Sequence, residues 1–454
     1  MAKIARAANP IDELLRFPMM SAIFGRRARR FAMGMEIPSG PLAFKSRHTS
    51  VPLSELEQAI LVATATGVTG WNFGIPHSAS RPAELAHYPV RPGGRTAPTA
   101  AAIGTPALFY TDDHGVYLIN LRDTQPTRLR EFEGEASDVE RILAACRQHT
   151  VKLGDQRLDL PQKPPYMMEH NLWVANAPGS TLFIPVADQS EEFLALLAMF
   201  AGSGYTLIDD YAKRPAGNVA PFIRSGLLAE TKPVPLSFLE QFIHSMCSME
   251  IAFMAHNAVL TMQGMGLGGW FFTGIDPSSV LGAYAEQGIK GLGFHFISDP
   301  RWTLPNPVGL DGYYEGLCPP YQKDMRAAVE TLARRKFGPG GVYDPSTPGP
   351  FRRNSEVKGS VTPYGAEFLE CLGEMAQYLC DTYGKFPPTI PSILAVGYVQ
   401  AQHIDTEFYD AHFQPGAYLS THVSHMARWH DERGAADSHK VRLQPTHRRR
   451  PQAP

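Results

Sequence analysis

Apolar residues fall at helical spacing over several long stretches of the chain. The segment PLSELEQAILVATAT (52–66) sets Leu56, Ile60 and Leu61 on one face, with Pro52 and Ser54 ahead and Glu55 and Glu57 in the first turn. It reads as a helix whose acidic residues meet the positive end of its dipole. Further helices are expected over 137–149, 190–201, 322–336 and 366–383, with the longest over 236–263. Strand patterns appear in PALFYTDD and VYLINL, joined by Asp113–His114–Gly115 as a hairpin, in TLFIPVA (181–187) and in IPSILAVGYV (390–399). Residues 67–104 are rich in Gly, Pro, Ser and Thr and read mostly as loop, and residues 1–20 as a leading arm or short helix. Residues 300–365 are interrupted repeatedly by Pro. This order predicts an α+β protein, and no internal repeat is visible.

Charge narrows the function classes. Lys and Arg number 42 against 44 Asp and Glu, without the basic excess of a nucleic-acid binder. Arg448, Arg449 and Arg450 sit in a polar tail, 431–454, whose composition reads as disordered. The five cysteines are widely spaced and odd in number, which fits reduced thiols and a cytoplasmic location better than a disulfide framework. MAKIARAANPIDELLRF carries no secretory apolar core. The apolar run 245–275 is broken by Glu250, His256, Asn257 and Gln263, so a helix buried in protein is expected rather than a membrane span.

Four local patterns could carry chemistry. Gly25-Arg26-Arg27-Ala28-Arg29-Arg30-Phe31 is either a solvated basic turn or an anion-binding surface. Gly264, Gly266 and Gly269 match GxGxxG in letters, but they follow a helix rather than a strand, so they read as a helix exit. The small-residue turn Gly67-Val68-Thr69-Gly70-Trp71 leads to Asn72, whose amide both donates and accepts. Last comes a run of histidines, His403, His412, His422, His425 and His430, of which His422 and His425 would share a helix face. Without an HExxH or a nearby Cys they read as structural, and no metal ligand is assigned. Neither GxSxG nor a P-loop occurs.

Taken in order, RRARR, PLSELEQAIL, GVTGWN and AHNAVLTMQGMGLGGWFFTGID resemble the nitroreductase superfamily over residues 21–75 and 245–285. The resemblance implies a largely antiparallel sheet wrapped by helices, a domain-swapped homodimer, and FMN at the subunit interface. It implies that Arg26, Arg27 and Arg30 hold the FMN phosphate, that Asn72 reaches the pyrimidine edge or ribityl chain, and that Thr273 and Gly274 lie beside the ring. Arg428 is the candidate late basic contact. The chain departs from the pattern at Ala28, where Ser is usual, and at Arg29, where an apolar residue is common. On this reading 1–20 is an arm, 21–299 the core, 300–388 a Pro/Gly-rich insertion capping the flavin pocket, 389–430 the completing strand and extension, and 431–454 the tail.

The function so implied is a ping-pong oxidoreductase passing electrons from NAD(P)H through FMN to a small-molecule substrate. The chemistry would be the cofactor's, so no catalytic side chain is named. PLAFKSRH also resembles the azoline-oxidising peptide dehydrogenases of the same superfamily. A flavin-binding or degenerate scaffold without turnover, and a metal protein using the late histidines, stand as alternatives.

Overall fold

A computed structural model describes residues 10–77 and 88–430. The expected tail, 431–454, lies outside them. Seven strands form the main sheet: β1 (Ala107–Asp112), β2 (Gly115–Ile119), β3 (Thr150–Gly154), β4 (Thr181–Asp188), β5 (Gly268–Phe272), β6 (Ile393–Leu394) and β7 (Tyr398–Gln402). Their order is β5-β7-β4-β1-β2-β3, with β6 also on β4, and every pairing is antiparallel. The expected hairpin is β1–β2, its register closing with Asp112 opposite Gly115. The strand expected over 390–399 is split: β6 and β7 pair with different parts of β4, and between them Gly397 lets Phe271 approach where a Cβ would stand. The expectation of an α+β, antiparallel-sheet protein agrees with this architecture.

The helices that position the site are α1 (Pro10–Arg16), α2 (Met19–Gly25), α3 (Glu55–Thr66), α4 (Ala136–Gln148), α5 (Gln189–Gly202), α6 (Leu236–Met265), α7 (Met325–Phe337), α8 (Ala366–Tyr383) and α9 (Ser420–Trp429). Alternation along β4 decides which layer each residue joins. Leu182, Ile184 and Val186 pack on one face with Phe109, Phe294 and Tyr398, while Phe183 turns to the other face with α3, α4 and the C-terminal half of α6. The expected buried helix is α6. It packs against α2, α3, α5, α9 and the sheet. Among the described residues no helix is long and apolar enough to cross a membrane.

Residues 300–388, expected as an insertion capping the pocket, do not sit apart. Met325, Leu332, Met375 and Leu379 of α7 and α8 share one core with Phe193 and Leu197 of α5 and with the N-terminal half of α6. Arg335 of α7 reaches Glu191 of α5 at 2.5 Å. The segment is thus a third layer of the same body.

The exit of α6 explains its glycines. Gly266 caps the helix with φ +87°, a left-handed conformation that favours glycine. A Cβ there would stand 2.1 Å from Thr421 O, one on Gly268 2.1 Å from the Ile404 side chain, and one on Gly269 2.1 Å from Gln400 O. Replacing Gly266 by Ala therefore meets both a left-handed backbone, costing ~1–2 kcal/mol, and a backbone clash. A lowered urea midpoint is expected for Gly266→Ala; an unchanged one would show that α9 does not need this close approach.

Candidate functional site

The arginine segment leaves α2 as extended chain, and Arg29 forms an antiparallel bridge to Gly269. Arg29 is the buried member. Its guanidinium donates to Ala417 O (2.9 Å), Gln263 Oε1 (2.7 Å) and Gly25 O (3.0 Å). Burial pulls its pKa down to about 10, so it remains cationic at neutral pH. This residue, a departure in the sequence pattern, pins the segment against the exit of α6 and leaves its neighbours facing outward. Arg26 and Arg27 are exposed. Arg27 donates only to Phe24 O and Arg26 O. Arg30 lies 5.5 Å from the Trp270 ring centroid. None of the three has a carboxylate partner among the described residues, so their positive charge is uncompensated.

Thr273 and Gly274 follow β5 at its far end, Thr273 exposed and Gly274 buried. A Cβ on Gly274 would stand 2.2 Å from Asn171 Nδ2, and that buried amide nitrogen has no acceptor of its own. Edge strand β5 thus separates the arginines from the Thr273–Gly274 turn, with Trp270 stacked on Phe272 along it (centroids 5.1 Å).

The other two predicted positions are engaged elsewhere. Asn72 donates both amide hydrogens, to Arg91 O at 2.9 Å and Gly93 O at 3.1 Å. It lines a small cleft with Trp71, Pro89, Tyr343, Phe351 and Lys358, so residues 342–358 do face the Asn72 loop. Arg428 forms an ion pair with Glu13 of α1, and that pairing takes up the charge expected to serve as the late contact.

The late histidines are arranged differently from the expectation. His422 turns away from His425, its Nδ1 accepting the Leu419 amide at 3.2 Å, and burial pushes its pKa down to about 3. His403 (just after β7), His425 (in α9) and His430 (its C-cap) instead converge on Glu57 in the first turn of α3. Glu57 completes a capping box: its Oε2 accepts from Ser54 N at 2.6 Å and its own amide donates to Ser54 Oγ at 3.3 Å. Its Oε1 is left for the histidines, 2.7 Å from His425 Nε2, 3.2 Å from His430 Nε2 and 3.3 Å from His403 Nε2. The sequence showed the histidines but not their fourth partner, which lies 346 residues before His403.

A second cluster was not visible in the sequence. Arg91 meets Glu191 at 2.7 Å and Arg122 meets Asp188 at 3.5 Å, all buried. Beside them lie two buried acids without cationic partners, Glu192 with neither oxygen bonded and Glu250 with one oxygen on Ala100 N. Burial and the Glu250 charge raise Glu192 well above its ordinary value, and burial raises Glu250 to about 7. The sequence shows the acids themselves, Glu191 and Glu192 in QSEEFLALL and Glu250 alone in SMEIAFM, but not that the fold brings them together.

No family model matches the chain, and no curated protein does. Among solved structures it is similar to one named "putative nitroreductase" from Ralstonia eutropha JMP134, with 12% identity over 61% of this chain and 76% of that one, and a TM-score of 0.25. A likeness so slight bears on neither fold nor chemistry, which rest on the residues above.

The raised Glu250 pKa fixes a pH dependence. The folded state keeps a proton that the unfolded chain releases near 4.5, so the stability this group contributes is full below 4.5 and lost as pH rises through about 7. At ~1.4 kcal/mol per pKa unit the loss over a rise from 4.5 to about 7 is on the order of 3 kcal/mol. Glu250→Gln is therefore expected to raise the melting temperature at pH 8 and to change it little at pH 5. Equal effects at both pH values would place the ionised form comfortably in the fold.

Proposed function

We propose that the protein is an FMN-dependent oxidoreductase of nitroreductase type, accepting electrons from NAD(P)H and passing them to a small organic acceptor in alternate half-reactions. The observation that carries this reading is the set of uncompensated arginines, Arg26, Arg27 and Arg30, held at one end of edge strand β5. Guanidinium groups without carboxylate partners favour a phosphate. From there a flat ring can lie along β5 toward the exposed Thr273, near the unspent donor of Asn171, whose amide fills the space a Gly274 Cβ would take. FMN would supply the hydride and electron chemistry; the chain's part is to hold the phosphate, orient the ring and exclude water. Asn72 has no share in this reading, because its amide hydrogens are committed to backbone carbonyls.

An exposed apolar stripe on α6, Phe238, Phe242, Met249 and Phe253, together with Met19, Met20 and Phe24 on α2 beside the arginines, supports a homodimer that would close the site from the far side.

Purified protein is expected to show flavin absorbance and release about one FMN per chain on denaturation. Losing one charge-assisted hydrogen bond costs ~1.5–3 kcal/mol, so Arg27→Ala and Arg30→Ala should each weaken FMN binding ~10–100-fold, read by quenching of flavin fluorescence. Asn72→Ala should weaken it less than tenfold. A spectrum that stays flat after incubation with FMN overturns the proposal.

A further inference from the structure

We propose that Glu57, His403, His425 and His430 form a binding site for a divalent transition-metal ion, zinc by its ligand chemistry. The proton positions argue for it first. His403 Nδ1 lies 2.8 Å from Val51 O, and His425 Nδ1 lies 2.8 Å from Met265 O. A carbonyl only accepts, so each Nδ1 carries the ring proton. The neutral rings then turn bare Nε2 lone pairs toward Glu57 Oε1, an acceptor facing acceptors. One proton on His430 Nε2 can serve Glu57 Oε1 or His403 Nε2, each 3.2 Å away, but it leaves His425 Nε2 unserved. His425 Nε2 approaches Glu57 Oε1 to 2.7 Å without hydrogen-bond alignment and has no other partner. The four ligand atoms crowd within 4.8 Å of one another, and a cation among them satisfies all four.

The spacing agrees. Zn–N bonds of ~2.0–2.1 Å in a tetrahedron place neighbouring ligand atoms about 3.3–3.4 Å apart. Here three of the separations are 3.2, 3.2 and 3.3 Å, a fourth, Glu57 Oε1 to His425 Nε2, is shorter at 2.7 Å, and all four ligand atoms lie within 4.8 Å of one another. The supports are in place as well. Two imidazoles are oriented through Nδ1 on backbone carbonyls, and the carboxylate is oriented through Oε2 on Ser54 N. Such outer partners fix tautomer and ring angle in metal sites. Three imidazoles with one carboxylate suit zinc and disfavour magnesium or calcium, which take oxygen ligands. Four protein ligands, three of them buried, make a closed site that holds structure rather than an open one for substrate. The ion would tie the start of α3, the end of β7 and helix α9 to one point, and α9 in turn packs on the exit of α6.

The test uses the full chain without a polyhistidine tag, dialysed against ZnCl2 and freed of loose metal. Elemental analysis is expected to give about one zinc per chain. His430→Gln, the most exposed ligand, should lower that at least tenfold, while His256→Gln, exposed on α6, should retain it. Wild-type protein should lose several degrees of melting temperature on chelation, and His430→Gln should lose little. Loading with Co²⁺ should give the intense visible bands of four-coordinate cobalt; this readout stands even if the variant fails to fold. Absence of zinc from the wild type, absence of those bands, or equal loss in His430→Gln and His256→Gln overturns the proposal.

Discussion

Three segments of chain meet at the exit of α6 with no room for a side chain between them. The Arg29 strand, β7 and the start of α9 each approach the backbone of Gly266, Gly268 or Gly269 so closely that a methyl group would overlap them. Around this point a short polar chain does the joining. Gln263 accepts from Arg29 through its side chain and from Thr421 through its carbonyl, at 2.7 Å in both cases. The direction of the arginines, the attachment of edge strand β5 and the placement of His425 all depend on this one close contact. Its polar groups are buried and paired, which is what makes such a junction tolerable in a low-dielectric interior.

Charge burial obeys the same logic elsewhere. Glu191 is wholly buried and held ionised, at about 2, because Arg335, Arg91 and Arg122 outweigh the cost of its burial. One of these arginines arrives from α7, so the third layer is fastened to α5 by an ion pair whose carboxylate is wholly buried and so screened less than an exposed pair. The neighbouring Glu192 and Glu250 lack such partners and stay protonated to higher pH. Two acids one residue apart on α5 thus behave oppositely, and the difference lies in what packs against them.

The range of each signal decides how much of the molecule is legible in its sequence. Local signals were legible: the capping box at Ser54 and Glu57, the β1–β2 hairpin, the buried run of β4 and the long α6 with its glycine exit all rest on residues a few positions apart. Properties set by distant packing were not. Asn72 looked available until the carbonyls of Arg91 and Gly93 took its amide. Arg29 looked like one more exposed base, yet it is buried beneath Ala417, 388 residues later. The histidines looked structural because no HExxH or Cys lies near them in the sequence, whereas the fold brings His425 to a carboxylate in α3. The resemblance marked 300–388 as an insertion and the periodicity marked a helix over 366–383, but that this helix, α8, joins the core with α5 and α6 is set by distant packing.

Glu57 also sets an order of assembly. It fastens its own helix through one carboxylate oxygen and faces His430, 373 residues downstream, through the other; Glu13 and Arg428 repeat the clasp beside it. A ribosome-bound chain can therefore build α3 but cannot enclose its buried carboxylate until nearly all of the described residues have emerged. Loop closure over such a span is slow, and the nascent N-terminal region must stay soluble meanwhile with an unshielded acid and an open apolar face. Release of the C-terminal helix, by proteolysis or stalled synthesis, would leave the first turn of α3 capped on Ser54 but its second carboxylate oxygen uncovered.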